Sequence, residues 1–537
     1  MSRFDWLDGY LARLELEHVL VNGAAAARPR GLAPARSVHL EVEDWGTAAR
    51  VAATTGCRWA GIWGDHIGDN VFVRACLELR GDYLLLATEV PLAHPVLASH
   101  APYYPAADRL ERHLQDMLGI AILDHPDGRR WTRHQAWNEV DYPLRRDFPV
   151  AGRTSHRTPA DTGYAFERML GSAVHQIAVG PVHAGIIEPG HFRFQAVGED
   201  VLRLEERLGY VHKGIEKLAV GRDAEALARL AGRVSGDATV AHAWAACMAM
   251  ERALGVEVPP RALALRAMLA EHERIANHLG DIGAICNDVG FAFMQSQFSR
   301  LREQWQRCQH TAFGHRLLMD SIVPGGVARD VNDDALVLLA SQYSQLTREL
   351  DELLPIIDDY PSLEDRLLGT GVLGEEAARE LGVIGYVGKA SGLDYDVRRD
   401  HGYAPYDRLS VPSPCLKGGD VAARVDIRAA EIRHSVGLLR QLFEGLLDGP
   451  VRTKWPKTGH LSADNSESEG LGIVDSWRGE ILTFVRFDPK GRVARFFPRD
   501  PSWFAWPALE RLIAGNIVAD FPVCNKSVNA SYSGHDL

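Results

Sequence analysis

Residues 180–194 read GPVHAGIIEPGHFRF, and residues 209–222 read GYVHKGIEKLAVGR. The first stretch lies inside a β-like segment, residues 175–208, in which apolar residues are interrupted by Gly-Pro and Pro-Gly turn signals. The second opens a region in which apolar residues recur at helical spacing. The two stretches therefore mark a short β-rich start that is followed by a large, mainly helical domain.

Three long amphipathic helices are predicted in that domain, over residues 261–290, 334–360 and 425–447. His272 and His278 lie six residues apart on the first of them, among charged neighbours and on different faces. We expect both histidine side chains to be solvated.

The last 60 residues predict a β-hairpin and a short helix. Residues 479–500 alternate around a Pro-Lys-Gly turn, and residues 507–516 have helical spacing that ends at Gly515. We expect the rest to be an irregular tail.

The first 150 residues predict a separate, small α/β domain. Residues 71–90 read as two strands joined by a Gly-Asp turn, and residues 109–120 have helical spacing. Residues 151–167 are polar and rich in Gly, Pro and Thr, which is typical of a linker. The predicted domains are therefore residues 1–150 and 168–537, and the fold class is α+β.

Composition excludes several classes of function. The chain has 537 residues and a formal charge of −12, which argues against non-specific nucleic-acid binding. The N-terminus lacks the pattern of a signal peptide, and nowhere do ~18 uncharged apolar residues run together. The seven cysteines include no Cys-x-x-Cys pair, which fits a reducing compartment without a disulfide framework.

Several blocks carry a resemblance to known families. Residues 107–131, ADRLERHLQDMLGIAILDHPDGRRW, and 141–149, DYPLRRDFP, resemble the 30-kilodalton subunit of respiratory complex I. Residues 180–194 and 209–222 resemble its quinone-site partner. They resemble still more the large subunit of membrane-bound, energy-converting nickel–iron hydrogenases, as in formate hydrogenlyase, in which both domains are fused. Smaller matches follow in order at residues 389–401, 476–480 and 506–522.

In those hydrogenases two Cys-x-x-Cys pairs hold nickel and iron, because soft thiolates stabilise these metals. The resemblance places the four ligand positions at Ser235, Ala238, Ser531 and Gly534, so all four thiols are missing. Serine hydroxyls stay protonated near neutral pH and are hard, weak ligands. Cys524, seven residues before Ser531, is one thiol and cannot replace four. We therefore expect no nickel–iron cluster and no hydrogenase activity.

The resemblance also implies a processing step, in which the large subunit is trimmed three residues after its last cysteine. Counting three residues from Gly534 gives Leu537, the last residue of this sequence. We expect the chain to be made in the trimmed form. The alternative is that the sequence represents a trimmed product.

The resemblance to complex I implies a quinone site made of a histidine in a Gly-Pro-x-His loop and a tyrosine near the first cysteine pair. His183 matches the histidine, whereas the tyrosine position falls at about Gly236. Only the histidine half of the implied quinone site is therefore present, and a quinone is the candidate ligand. The alternative is a structural role for His183.

Glu216 matches a family-typical position in the helix that leads away from the cavity. If it is buried, desolvation would raise the pKa of its carboxyl group and allow a proton relay. The alternative is an ion pair with Lys213 or Arg222 that fixes the helix.

Charged residues surround the former metal positions. Asp237 brings a carboxylate into the cavity, and Arg478 lies where hydrogenases have an arginine beside the diatomic ligands of iron. We expect Asp237 to pair with Arg233 or with Arg478, in place of the cluster. His242 completes the first ligand motif, RVSGDATVAH.

Functions from different classes stay open. In the first, electrons pass from an iron–sulfur cluster of a partner small subunit to a non-metal acceptor, such as a quinone, in the former metal cavity. In the second, the chain is a non-catalytic scaffold that couples conformational or proton movements. In both, the chain lies on the cytoplasmic face of the inner membrane, reaches ion-pumping membrane subunits through partners and binds no nucleic acid. Homology alone would predict a third function, that of an active nickel–iron hydrogenase.

Overall fold

The N-terminal part of the chain builds one mixed five-stranded sheet covered by helices. The computed structural model describes residues 5–19, 21–27, 30–134, 137, 138, 140–153, 164–185, 187–456 and 468–537. The elements of the N-terminal part are α1 (Asp5–Leu16), β1 (Val21–Ala27), β2 (Arg36–Leu40), α2 (Trp45–Thr55), β3 (Arg58–Ile67), β4 (Asn70–Leu79), β5 (Asp82–Pro91), β6 (Val96–Ala98), α3 (Asp108–Leu118) and β7 (Ala121–Leu123). The sheet has the order β1-β2-β5-β4-β3, in which β2 is parallel to β5 and the other neighbours are antiparallel.

The predicted hairpin is confirmed as β4 and β5. The two strands pair from Asn70 opposite Pro91 to Leu79 opposite Asp82. Gly81 in the turn has a φ of +85°, a left-handed conformation that glycine adopts without a steric penalty. The helix predicted over residues 109–120 is α3, which packs on β3.

The C-terminal part is mainly helical, with a β-rich start and a second sheet near its end, as predicted. Its elements are β8 (His175–Val179), β9 (His191–Val197), β10 (Asp200–Arg207), α4 (Ile215–Ala219), α5 (Ala224–Ala231), α6 (Thr239–Leu254), α7 (Pro260–Asp288), α8 (Ala292–Phe313), β11 (Ile322–Val323), β12 (Gly326–Val327), α9 (Asp333–Asp358), α10 (Pro361–Leu367), α11 (Glu375–Glu380), α12 (Gly385–Ala390), α13 (Val397–Asp400), α14 (Val421–Glu444), β13 (Ser468–Ser476), β14 (Gly479–Phe487), β15 (Val493–Arg499), α15 (Ser502–Leu512), α16 (Phe521–Val528) and α17 (Tyr532–Asp536). None of the helices in the described ranges is long and apolar enough to cross a membrane. Residues 154–163 of the predicted linker lie outside the described residues.

Two helices, α6 and α7, form the centre of this part. α7 packs against α8 and α14, and α6 lies across the sheet of β13, β14 and β15. A Cβ atom on Gly472 of β13 would lie 1.9 Å from the carbonyl oxygen of Ala245 in α6. Glycine at this position therefore lets the helix and the strand approach closely. Because β13 is rich in glycine, it lacks the sequence pattern of a strand. The sequence therefore predicted only the two strands that follow it.

The expectation that His272 and His278 are solvated is wrong. Both side chains are fully buried, because neighbouring elements cover α7 on almost every side. The ring of His272 stacks on Trp305 with ring centroids 4.5 Å apart, and His278 Nε2 lies 2.7 Å from a carboxylate oxygen of Glu431. The charges that suggested a solvated face are neutralised inside the protein, as in the ion pair between Arg274 and Glu431.

The irregular tail expected after Gly515 is instead helical and buried. It contains α16 and α17, and Leu537 is fully buried. The backbone oxygen of Leu537 accepts hydrogen bonds from the N–H groups of Lys213 and Ile215 at 3.0 and 3.1 Å. Helices of eight and five residues depend on such tertiary contacts and leave a weak sequence pattern.

The two parts of the chain are joined by arginines of β15 that reach the backbone of β3. Arg495 Nε donates to the carbonyl oxygen of Gly64 at 2.8 Å, and Arg499 Nε donates to that of Ala60 at 2.9 Å. Both arginine side chains are buried. The N-terminal sheet is therefore fixed directly to the sheet that carries Arg478 in its β13–β14 turn.

Glu216 belongs to this contact between the two parts. Its carboxylate lies 2.7 Å from His113 Nε2 and 2.6 Å from Arg495, so the predicted pairing with Lys213 or Arg222 is wrong. Burial disfavours the carboxylate, but Arg495 and His113 outweigh burial and lower the pKa of Glu216 to about 2. Glu216 is therefore ionised at neutral pH, and the expected raised pKa is wrong as well.

Replacing Glu216 tests this contact. Because its folded-state pKa lies below the unfolded value of about 4.3, its stabilisation is present above that value and is lost as the pH falls towards 2. We expect Glu216→Gln to reduce the free energy of unfolding by about 3 kcal/mol at pH 7, which lowers Tm by roughly 3 °C. The difference from wild type should shrink as the pH falls below about 4.

The matched control is Glu225→Gln, since Glu225 pairs with Arg452 at the surface and the two side chains are 45% and 40% exposed. This variant should change the free energy of unfolding by less than about 0.5 kcal/mol. Calorimetry at pH 7, 5 and 3.5 measures both variants. Equal losses in the two variants would contradict the role assigned to Glu216.

Candidate functional site

Four loops of the C-terminal part meet around one cavity of 710 Å³. They are the loop before β9, the loop before α6, the turn between β13 and β14, and the segment that joins α16 to α17. The cavity is lined by Val179, His183, Gly185, Ile187, Glu188, Phe192, Ser235, Gly236, Asp237, Asp288, Arg478, Phe521, Pro522, Asn525, Lys526, Asn529, Ala530, Ser531, Tyr532 and Ser533. The structure thus brings together His183, Arg478 and two of the four former ligand positions.

The two serines at former ligand positions contact each other. Ser235 Oγ lies 2.8 Å from Ser531 Oγ, and it donates to a carboxylate oxygen of Asp237 at 2.6 Å. Ser531 Oγ also accepts from the N–H of Gly534 at 2.9 Å and lies 3.3 Å from Ser533 Oγ. A chain of hydroxyl groups therefore closes the floor of the cavity.

The other two former ligand positions carry no side chain that reaches the cavity. Ala238 is buried at the start of α6, and its N–H donates to the backbone oxygen of Ser235 at 3.1 Å. A Cβ atom on Gly534 would lie 2.7 Å from the carboxylate of Asp500. Asp500 therefore occupies the space that a cysteine side chain at position 534 would need.

Asp237 pairs with Arg478 through two parallel contacts of 2.7 and 2.6 Å. Arg478 Nε donates to the backbone oxygen of Asn529 at 2.6 Å, and its guanidinium lies 4.0 Å above the ring of Trp477. Burial disfavours the charged form of Asp237, but Arg478 and Ser235 outweigh burial and lower its pKa. Burial likewise opposes the charge on Arg478, and the Asp237 carboxylate nevertheless raises the pKa of Arg478. The pair is therefore ionised on both sides.

Arg233 lies away from the cavity. It forms a surface ion pair with Asp320, with contacts of 3.0 and 2.8 Å, and the two side chains are 41% and 44% exposed. The predicted alternative, a pair between Asp237 and Arg233, is therefore wrong. The backbone turns between these two positions at Gly236, so their side chains face opposite sides of the loop.

His242 lies below the floor in a fully buried pair with Asp500, with 2.8 Å between His242 Nε2 and a carboxylate oxygen. Burial disfavours the Asp500 carboxylate, but hydrogen bonds from His242 and Ser502 lower its pKa. Asp500 was missed by the sequence analysis. Its position as the last residue of the predicted hairpin, at the end of FFPRD, was the available signal.

His183 lies at the rim of the cavity rather than at its floor. Its Nε2 is 2.9 Å from the backbone oxygen of Gly190, which fixes the loop before β9. Phe192 lies between His183 and Tyr532. Its ring centroid is 6.0 Å from that of His183 and 6.5 Å from that of Tyr532. Tyr532, which no sequence motif singled out, brings a second aromatic ring with a polar end to the cavity. Glu216 is not part of the cavity.

The residues present do not fit a nickel–iron cluster. Two hydroxyls, a methyl group and a hydrogen atom replace four thiolates, and hydroxyls are hard ligands for metals that prefer sulfur. A tetrahedral metal with bonds of about 2.3 Å separates its sulfur ligands by about 3.8 Å. The oxygens of Ser235 and Ser531 are only 2.8 Å apart and bond to each other instead. Among the described residues there is also no cluster of three or more His, Cys, Asp or Glu side chains that could hold a metal ion.

Cys524 does not compensate for the missing thiols. It is buried against Gly371 and Arg424, and it is not among the residues that line the cavity. Burial raises the pKa of its thiol to about 12, so it is not a thiolate at neutral pH.

Three family models match consecutive parts of the chain. Residues 54–154 match the 30 Kd subunit of respiratory-chain NADH dehydrogenase, residues 213–280 match nickel-dependent hydrogenase, and residues 288–469 match the 49 Kd subunit of NADH dehydrogenase. Formate hydrogenlyase subunit 5 of Escherichia coli K12 is 31% identical over 458 residues, which cover 84% of this chain and 79% of the relative. The chain belongs to the family of complex I-related hydrogenase large subunits.

Two further relatives show how wide this family is. The C/D polypeptide of the NADH-quinone oxidoreductase of Phocaeicola vulgatus is 30% identical over 443 residues, covering 79% of this chain and 85% of the relative. A protein in the solved structure of the membrane-bound sulfane sulfur reductase, an archaeal respiratory membrane complex, superposes with a TM-score of 0.63 at 26% identity. The superposition covers 69% of this chain and all of the archaeal protein. The family therefore includes proteins named for different electron acceptors.

Removing Asp237 tests whether its pair with Arg478 holds the site together. Arg478 is 5% exposed and would keep its charge without a partner, whereas Asp237 is 38% exposed to the cavity. Breaking a buried pair costs about 3–5 kcal/mol, and the partial exposure reduces the expected loss for Asp237→Ala to about 2–3 kcal/mol.

The control is Asp351→Ala, which breaks the exposed pair between Asp351 on α9 and Arg433 and should cost less than about 0.5 kcal/mol. Chemical denaturation of the two variants measures the difference. If Asp237→Ala is no more destabilising than Asp351→Ala, the pair does not hold the site together.

Proposed function

We propose that this chain is the large subunit in the peripheral arm of a membrane-bound, complex I-related oxidoreductase. In this proposal its cavity receives a non-metal, quinone-like electron acceptor in place of the nickel–iron cluster. Electrons reach the acceptor from an iron–sulfur cluster of a partner small subunit. The observation that carries the proposal is the cavity of 710 Å³ that remains above a floor closed by hydrogen bonds and an ion pair.

The size and lining of the cavity support a small organic ligand. Pockets for such ligands typically have volumes of about 300–1,000 Å³, with apolar walls and a few polar groups. Phe192 and Tyr532 supply aromatic walls, while His183 and Ser533 supply polar groups on the same surface. A quinone ring has apolar faces and two carbonyl acceptors, which match this combination.

Exposed apolar side chains next to the cavity support a partner protein at this face. Leu170 is 97% exposed and Val182 is 86% exposed, and the strand β8 between them is largely exposed as well. Large apolar side chains that are clustered and exposed are typical of interaction surfaces. We assign this surface, around the loop before β9, to the iron–sulfur small subunit.

The assemblies of the relatives support a peripheral position on the membrane. The archaeal relative belongs to a respiratory membrane complex. We propose that this chain likewise reaches ion-pumping membrane subunits through partners and lies on the cytoplasmic face of the inner membrane.

A non-catalytic scaffold is the second candidate function. The filled floor favours it, because a bidentate ion pair and a chain of hydroxyls stabilise the loops without a ligand. Closure of the floor alone would be enough for a subunit that only transmits movement between partners. The two candidates differ in whether the cavity must stay open for electron transfer.

Narrowing the cavity distinguishes the two candidates. A Cβ atom on Gly185 would meet no atom within 4 Å, so Gly185→Phe adds a ring to the lining without a clash at its base. In the purified assembly, we expect dithionite-reduced iron–sulfur clusters to be reoxidised by decylubiquinone. Gly185→Phe should slow this step roughly tenfold, which corresponds to about 1.4 kcal/mol in the barrier.

The matched control is Gly128→Phe in the N-terminal part, where a Cβ atom also meets nothing within 4 Å. This variant should leave the rate of reoxidation within about twofold of wild type. The assembly should also show no hydrogen uptake. Failure of quinones to reoxidise the wild-type clusters would contradict an acceptor site and favour the scaffold.

A further inference from the structure

A second, smaller chamber lies behind the loop that carries Asp237. Its volume is 140 Å³, and Gly236 and Asp237 line both this chamber and the main cavity. Its polar lining also includes Glu273, Asn277, Arg302, Gln306, Gln309 and Arg316. A single loop therefore separates the main cavity from a polar chamber with room for about four water molecules.

The chamber leads from the interior towards the surface. Glu273 is buried at its inner end, whereas Arg316 and Leu317 at the other end have side chains that are 52% and 39% exposed. Water in the chamber would find hydrogen-bond partners in its two glutamines and in Asn277. Arg302 Nε is buried and has no hydrogen-bond partner in the part of the chain that the structure describes. The lining therefore suits ordered water rather than an apolar group.

Glu273 lies on α7 with its carboxyl group at the first turn of α6. It accepts hydrogen bonds from the N–H groups of Val240 at 2.7 Å and Ala241 at 3.3 Å. Asn277 Nδ2 donates to the backbone oxygens of both Glu273 and Asp237, at 2.9 and 2.8 Å. The carboxyl group is thus fixed in place next to the loop that forms the wall between the two cavities.

The charges around Glu273 leave its carboxyl group titratable. Burial raises the pKa of Glu273 to about 8; the two N–H groups oppose this shift, and the Asp237 carboxylate adds to it. The positive charges nearby are Arg274 on its own helix, Arg302 on α8 and Arg316 in the loop after α8. None of these arginines is within ion-pair distance of Glu273 among the contacts of the described residues, so burial outweighs them and favours the protonated form.

We propose that Glu273 supplies protons to the main cavity through chamber water that passes Gly236, which lines both cavities. This proposal rests on the proposed function, because reduction of a quinone to a quinol by two electrons from the partner's cluster consumes two protons. In each transfer the O–H bond of Glu273 breaks, and the proton moves along water past Gly236 to form an O–H bond on the acceptor, while Asp237 stays ionised in its pair with Arg478. A proton from solvent then enters through the outer end of the chamber and restores the Glu273 acid.

The alternative role of Glu273 is structural, since it caps the first N–H groups of α6, which have no partner within the helix. Glu273→Gln separates the two roles, because the amide oxygen still accepts from Val240 but the side chain carries no exchangeable acid proton. Glu273→Asp keeps the acid and should partly restore the function. Glu225→Gln at the surface is the matched control for the same chemical change.

Infrared difference spectra of the purified assembly, recorded from pH 6 to 10 in H₂O and D₂O, test the proton directly. We expect a carboxylic acid band that shifts in D₂O, disappears with a midpoint near pH 8 and is missing in Glu273→Gln but present in Glu225→Gln. Lack of such a band in wild type, or its persistence in Glu273→Gln, would overturn the proposal.

Stopped-flow reoxidation of reduced clusters by decylubiquinone tests the relay. We expect Glu273→Gln to lower the maximal rate at least tenfold and to remove its decline above pH 8, with an unchanged KM for the quinone; Glu273→Asp should recover part of the rate. Quinone reduction in Glu273→Gln with a wild-type rate and pH profile would overturn the relay alone. Absence of quinone reduction in the wild-type assembly would overturn both the relay and the proposed function, whatever the infrared result.

Discussion

The ion pair between Asp237 and Arg478 is the constraint on which the site depends. Arg478 is buried, and a buried cation without a partner costs several kcal/mol. Asp237 neutralises it from the loop before α6, while Asn529 accepts from it in the segment before α17. One guanidinium therefore ties together three loops that are far apart in the sequence. In a nickel–iron site metal–sulfur bonds would connect two of these loops, and here the hydrogen bond between Ser235 and Ser531 replaces that connection.

Much of the fold could be predicted from local pattern. The Gly-Asp turn of the β4–β5 hairpin, the strand-rich start and the three longest helices were all visible as periodicity. The misses have a common physical origin. His272 lies on a charged helix, and the sequence does not show that its neighbours, such as Arg274, find partners in the interior. The short helices α16 and α17 are stabilised by contacts across the chain rather than by their own propensity.

Residues of the candidate site could be predicted from the sequence only where they belong to a recognisable motif. The four former ligand positions and Arg478 were found because they stand in recognisable patterns. The choice between Arg233 and Arg478 as the partner of Asp237 required three-dimensional information, since Arg233 is closer in sequence but lies on the other side of the loop. Asp500 fills the space beside Gly534, and Glu273 lies behind the loop, yet neither stands in a motif. Packing contacts and cavities join residues that are distant in the sequence. Unlike the spacing of metal ligands, they therefore produce no local sequence pattern.

We propose that the scaffold keeps the cavity of a metalloenzyme while the chemistry of its floor has changed from sulfur to oxygen and charge. Charged groups around the floor are paired, and the cavity above it remains open to a small molecule. The most direct measurement for this account is the nickel content of the natively purified assembly, determined by mass spectrometry of the metals and divided by the amount of this chain. The account predicts nickel far below one atom per chain. About one nickel atom per chain would contradict it.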